Sequence, residues 1–108
     1  MPKTEYLQGA LDLLILKRLA LGPNHGWGIQ QRLRQVSREA VNVSQGSLYP
    51  ALHRLEATGM LASEMTASEN NRRARVYRLT TSGRCRLEEE TADWQQFSLA
   101  IRRLLQMG

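Results

Sequence analysis

The sequence predicts a mainly α-helical protein carrying a small β wing. Three observations lead there. Three apolar stripes at helical spacing are divided by glycine- and proline-marked breaks, two short extended segments follow with a period-2 signal in the second, and a long closing stretch repeats apolar residues at seven-residue steps. The length of 108 residues suits one domain, and 42% hydrophobic against 23% charged residues excludes a wholly disordered chain.

Residues 5–20 read as the first helix. Leu7, Leu11, Leu14, Ile15 and Leu19 fall at helical spacing, Leu13 and Leu16 widen the apolar face, and Leu21-Gly22-Pro23 ends it. A second helix follows Pro23-Asn24-His25-Gly26, with Asn24 as the expected N-cap and Ile29, Leu33 and Val36 on its apolar side. It fades in Ser37-Arg38-Glu39, and residues 40–43 read as a loop or a short extended piece. Ser44 is a favourable N-cap for a third helix over 45–57, which Leu48, Leu52 and Leu55 anchor and Thr58-Gly59 closes. Pro50 lacks an N–H and is expected to distort the first two turns of that helix. Residues 60–65 and 74–79 read as strands around a polar turn at 66–73, with Tyr77 and Leu79 on one face and Val76 and Arg78 on the other. Thr80 or Thr81 caps a final helix whose Leu87, Trp94, Phe97, Ile101 and Leu104 form an a/d-like seam, interrupted by Glu90.

Fifteen basic residues, thirteen of them arginine, oppose ten acidic ones, for a net charge of +5. Residues 1–54 carry seven basic and three acidic groups, residues 55–87 six and three, and residues 88–108 two and four, so the tail alone is acidic. Arginine's planar fork suits phosphates and guanine edges. The competing explanation is a genome that prefers arginine to lysine. The densest cluster, Arg72, Arg73, Arg75, Arg78, Arg84 and Arg86, spans fifteen residues without an acid, and a solubilising face is its bland alternative.

Helix, helix, helix, wing is the order of a winged helix-turn-helix. The expected division is a DNA-binding domain over 1–80 and a C-terminal dimerisation helix over 81–108. The third helix of such a domain enters the major groove. Gln45, Ser47, Tyr49 and, one turn later, His53 and Arg54 are then the residues facing double-stranded DNA. A loop carrying Arg72 and Arg73, followed by Arg75, straddles the backbone or enters the minor groove.

His25-Gly26-Trp27, the block Gly46-Ser47-Leu48-Tyr49-Pro50-Ala51-Leu52-His53-Arg54-Leu55-Glu56 and the run from Arg72 to Thr80 resemble the PadR family of bacterial transcriptional regulators, over roughly residues 5–105. The resemblance implies a winged-helix DNA-binding domain, a dimer built through the C-terminal helix, and repression relieved by a small effector. It puts Ser47 and Tyr49 on the recognition helix and Arg72, Arg73 and Arg75 in the wing, and the single helix after the wing is similar to the short subfamily. Two positions depart from the pattern. Trp27 stands where the family usually has tyrosine, so an indole N–H replaces a hydroxyl. Gln45 stands where many members have proline, so a DNA contact by Gln45 follows from its place on the helix alone.

The last helix argues for a dimer by itself. Leu87, Trp94, Phe97, Ile101, Leu104 and Leu105 carry more apolar surface than a three-helix core can cover. A two-fold pair would set two recognition helices about 34 Å apart, the spacing of a palindromic operator. Folding back on its own domain is the alternative. Trp94 and Phe97 are expected to pack there and, by the resemblance, to line a place for a small aromatic or hydrophobic effector. His25, His53 and Cys85 lack metal-ligand spacing, so neither metal nor cofactor is expected. Cys85, between Arg84 and Arg86, is either a partly buried thiol or a redox sensor. With no nucleophile–base pair, carboxylate pair or phosphate-cradling loop, an enzyme is disfavoured, which leaves a winged helix used only for protein–protein contact as the rival. A single cysteine, no apolar run near ~20 residues and no secretory pattern point to a cytoplasmic protein without membrane contact, nucleoid-associated when bound to DNA.

Overall fold

The computed structural model describes residues 4–36, 43–67 and 73–107. The elements run α1 (Thr4–Ala20), β1 (Asn24–His25), α2 (Gly26–Val36), α3 (Gln45–Ala57), β2 (Leu61–Ala67), β3 (Arg73–Leu79) and α4 (Thr81–Gln106). The side chain of Leu7, the fading end of α2 with most of the following loop, and Arg72 lie outside the described residues.

Apolar periodicity builds the helical core. Ile15, Leu16 and Leu19 of α1, Ile29 and Leu33 of α2, and Leu48, Ala51, Leu52 and Leu55 of α3 close on one another, and partly buried Leu13 and Leu14 flank them. Leu61 of β2 and Tyr77 of β3 seal the side facing the sheet. α3 starts where its cap requires: the Ser44 side chain accepts a hydrogen bond from the Ser47 amide at 3.2 Å. The helix is continuous from Gln45 to Ala57 with Pro50 inside it. The missing bond would end on the carbonyl of Gly46, in the exposed first turn, where solvent can serve that oxygen.

The sheet has three strands, not two, in the order β1-β3-β2 and antiparallel throughout. Asn24 pairs with Tyr77 and His25 with Val76, so the segment read as the cap of α2 is a strand. Asn24 does not cap the helix; its Oδ1 accepts from the neighbouring His25 amide at 2.9 Å. His25 takes the capping role, its Nδ1 accepting from the Gly28 amide at 3.0 Å. β2 and β3 stay paired out to Ala67 and Arg73, so the wing strands reach further than the alternation suggested.

α4 grows out of this domain. The Thr80 hydroxyl accepts from the Gly83 amide at 3.0 Å and lies 2.7 Å from the Gly59 carbonyl. Gly83 meets the body so closely that a Cβ there would stand 2.1 Å from the Met60 carbonyl oxygen. Leu87 is buried in the domain core, not on a free seam, because the first turns of α4 lie against it. Farther along, α4 still runs beside α1 where Trp94 and Leu99 share a groove with Leu13, and the molecule extends 59 Å along its longest axis but only 28 and 22 Å across it.

Candidate nucleic-acid interface

At about 100° per residue, the buried leucines of α3 set one side and leave Gly46, Pro50 and His53 at the centre of the other. Gln45, Ser47, Tyr49 and His53 are all exposed. Tyr49 and Glu56 share one flank of this face, Ser47 and Arg54 the opposite flank. Ser47 also belongs to the cap, with its hydroxyl 3.3 Å from that of Ser44.

Each flank is tied to a different neighbour. The Tyr49 ring lies over the start of α2, where a Cβ on Gly26 would come within 2.6 Å of it. The glycine of the His25-Gly26-Trp27 step therefore makes room for an aromatic of the third helix. Trp27 itself is 58% exposed and stacks on His25 with ring centroids 6.2 Å apart. On the other flank Arg54 turns away from the outer face and forms an ion pair with Asp12 of α1. Its charge is committed to holding α3 against α1. Burial pushes the Asp12 carboxyl above the ordinary carboxylate value, with the Arg54 charge pulling it back down.

The arginine cluster divides once folded. Arg73 and Arg75 alternate with Tyr77 along β3 and share its face, whereas Arg78 projects from the opposite face. Arg75 donates through Nη1 to the Ser63 hydroxyl at 3.0 Å. Arg86 pairs with Glu90 one turn along α4, at 3.0 Å. The described residues thus bring Gln45, Ser47, Tyr49 and His53 together on α3, and set Arg73 and Arg75 on the adjoining wing. Arg54, partly exposed, is paired with Asp12 on the flank toward α1, and Arg72 lies outside the described residues.

The remaining sequence candidates sit on α4. Trp94 is half-buried and meets Phe97 edge-on, with centroids 5.9 Å apart and planes at 83°. With Leu13, Leu99 and Arg102 it lines an open groove of about 430 Å³. Phe97, Ile101 and Leu104 are exposed, as are Leu99, Leu105 and Met107. Cys85 is exposed. Among the described residues no three His, Cys, Asp or Glu side chains gather as metal ligands, and no helix is long and apolar enough to cross a membrane.

Known proteins resemble this chain over most of its length. The model of the Transcriptional regulator PadR-like family matches residues 15–89. A transcriptional regulator of Mycobacterium tuberculosis is 44% identical over 86 residues, covering 80% of this chain and 77% of that protein. A transcriptional regulator from Clostridium thermocellum superposes with a TM-score of 0.84 at 25% identity, covering 95% of this chain and 97% of its own. A PadR family transcription regulator from Clostridium difficile gives a TM-score of 0.78 at 26% identity, over 88% and 97%.

Proposed function

The chain belongs to the PadR-like family of transcriptional regulators, not to a family of enzymes, and from that premise we propose that it is a cytoplasmic repressor binding a palindromic operator as a homodimer. One observation carries the reading: the exposed first turns of α3 adjoin a wing whose Arg73 and Arg75 share the face toward that helix. Gln45, Ser47, Tyr49 and His53 address base edges and nearby phosphates, and the wing arginines address the backbone. The free amides at the start of α3 add a phosphate site. Residues 81–108 supply the dimer contact, with Leu87 holding α4 to its own domain and the exposed apolar residues from Phe97 onward meeting a second copy. The groove beside Trp94 then offers a small aromatic or hydrophobic effector a place whose shape depends on how the two copies sit.

Binding to duplex DNA as a function of salt tests this. Log affinity is expected to fall linearly with log salt, by about 0.9 per phosphate neutralised. Arg73→Ala should weaken all duplexes alike, while changes at Ser47 or Gln45 should alter preference among sequences. Salt-independent binding, or none in dilute buffer with genomic fragments, would overturn the reading.

A further inference from the structure

We infer that Ser63 is a positioning residue for the wing arginine Arg75, part of a hydrogen-bonded chain that makes the wing and the third helix dock on DNA as one unit; the inference rests on the DNA-binding reading above. The chain runs from Arg75 through Ser63 to Glu56. Arg75 Nη1 donates to the Ser63 hydroxyl at 3.0 Å, and that hydroxyl donates to Glu56 Oε2 at 2.6 Å. A hydroxyl has one proton to give. Here it goes to the carboxylate, so the oxygen lone pairs face the guanidinium and the chain has a fixed direction.

The sheet register makes this reach possible. Ser63 pairs with Tyr77 and Met65 with Arg75, so Ser63 and Arg75 are diagonal neighbours on the face that looks toward α3. Glu56 stands on the flank of α3 that also carries Tyr49, and the chain therefore connects the wing to the helix that would read the groove.

The spacer has a chemical consequence. A direct fork between Arg75 and Glu56 would occupy the two parallel N–H groups that a phosphate needs. With Ser63 between them, one N–H is held and the carboxylate orients the side chain without covering it. Among the described residues this is the one hydrogen bond of Arg75, which leaves four of its five donors for backbone oxygens. An exposed arginine without the chain would have to be ordered at the moment of binding.

Ser63→Thr and Ser63→Val test the proposal, because the two side chains have the same shape and differ in the hydroxyl. Their affinities for a labelled mixed-sequence duplex at low salt are compared in the wild-type and Arg75→Ala backgrounds, alongside melting temperatures. Thr is expected to bind like wild type, and Val about three- to tenfold more weakly, the cost of ordering one arginine on binding. In the Arg75→Ala background the two should bind alike. Equal binding of the Thr and Val variants with Arg75 present, or a difference that persists without Arg75, overturns the inference while leaving DNA binding intact. A wild-type protein that binds no duplex overturns the underlying reading and this one with it.

Discussion

The two ends of α4 belong to one uninterrupted helix and live in opposite surroundings. At the near end Thr80 hooks the turn after α3, Gly83 lies against the Met60 carbonyl, and Leu87 is 9% exposed. At the far end Leu104 and Leu105 are 66% and 80% exposed. The residue types are alike, so composition does not separate the ends. What differs is whether the winged body reaches far enough to cover them. A helix of 26 residues is about 39 Å long, longer than the body is wide, and its last turns leave Leu104, Leu105 and Met107 exposed. Burial at the near end stabilises the fold; in the homodimer proposed above, a second copy would cover the far end.

The largest effect expected at the near end is that of Leu87→Ala. Truncating a leucine in the core should cost about 2–4 kcal/mol of unfolding free energy, read by urea denaturation, and the loss should not depend on protein concentration. Leu104→Ala should cost little in dilute solution, where its effect appears as weaker self-association. Equal, concentration-independent losses from both variants would erase the distinction between the ends.

A smaller effect sharpens the account of where the near end meets α1. Asp12 of α1 feels Glu90 and Arg86 of α4 as well as its partner Arg54, but burial dominates and raises its pKa. Its carboxyl therefore ionises at higher pH in the folded chain than in the unfolded one. The native state holds the extra proton between the unfolded value near 3.8 and the raised folded value. Stability attributable to this group is full below 3.8 and declines as pH rises through the folded value. Asp12→Asn should remove that decline. At neutral pH it should change stability by no more than about 0.5 kcal/mol, since both members of the ion pair are partly exposed. An unchanged pH profile in Asp12→Asn would assign the decline to another group.

What could be read from the sequence follows the range of the signal. The three helices, the Ser44 and Thr80 caps and the Tyr77 face of β3 rest on residues within a few positions of one another, and all are present in the fold. β1 escaped because a two-residue strand has no period of its own; only its pairing with β3, more than fifty residues on, defines it. The same holds for the ion pair of Arg54 with Asp12, whose members lie 42 residues apart. Leu87 fell on the expected seam because a heptad-like pattern names the apolar side of a helix without saying what covers it. Ser63 and Glu56 carried no signal as a pair. Their bond to one another, and through it to Arg75, exists only once α3, β2 and β3 are assembled.

Sedimentation equilibrium at micromolar concentration, on the intact chain and on the Leu104→Glu/Leu105→Glu variant, tests the paired arrangement most directly. The wild type is expected at about twice the 12.3 kDa chain mass. The variant should sediment as a single chain while retaining its helical circular dichroism, because both substituted positions lie outside the core. A wild-type species of 12.3 kDa, or a variant that stays dimeric, would contradict it.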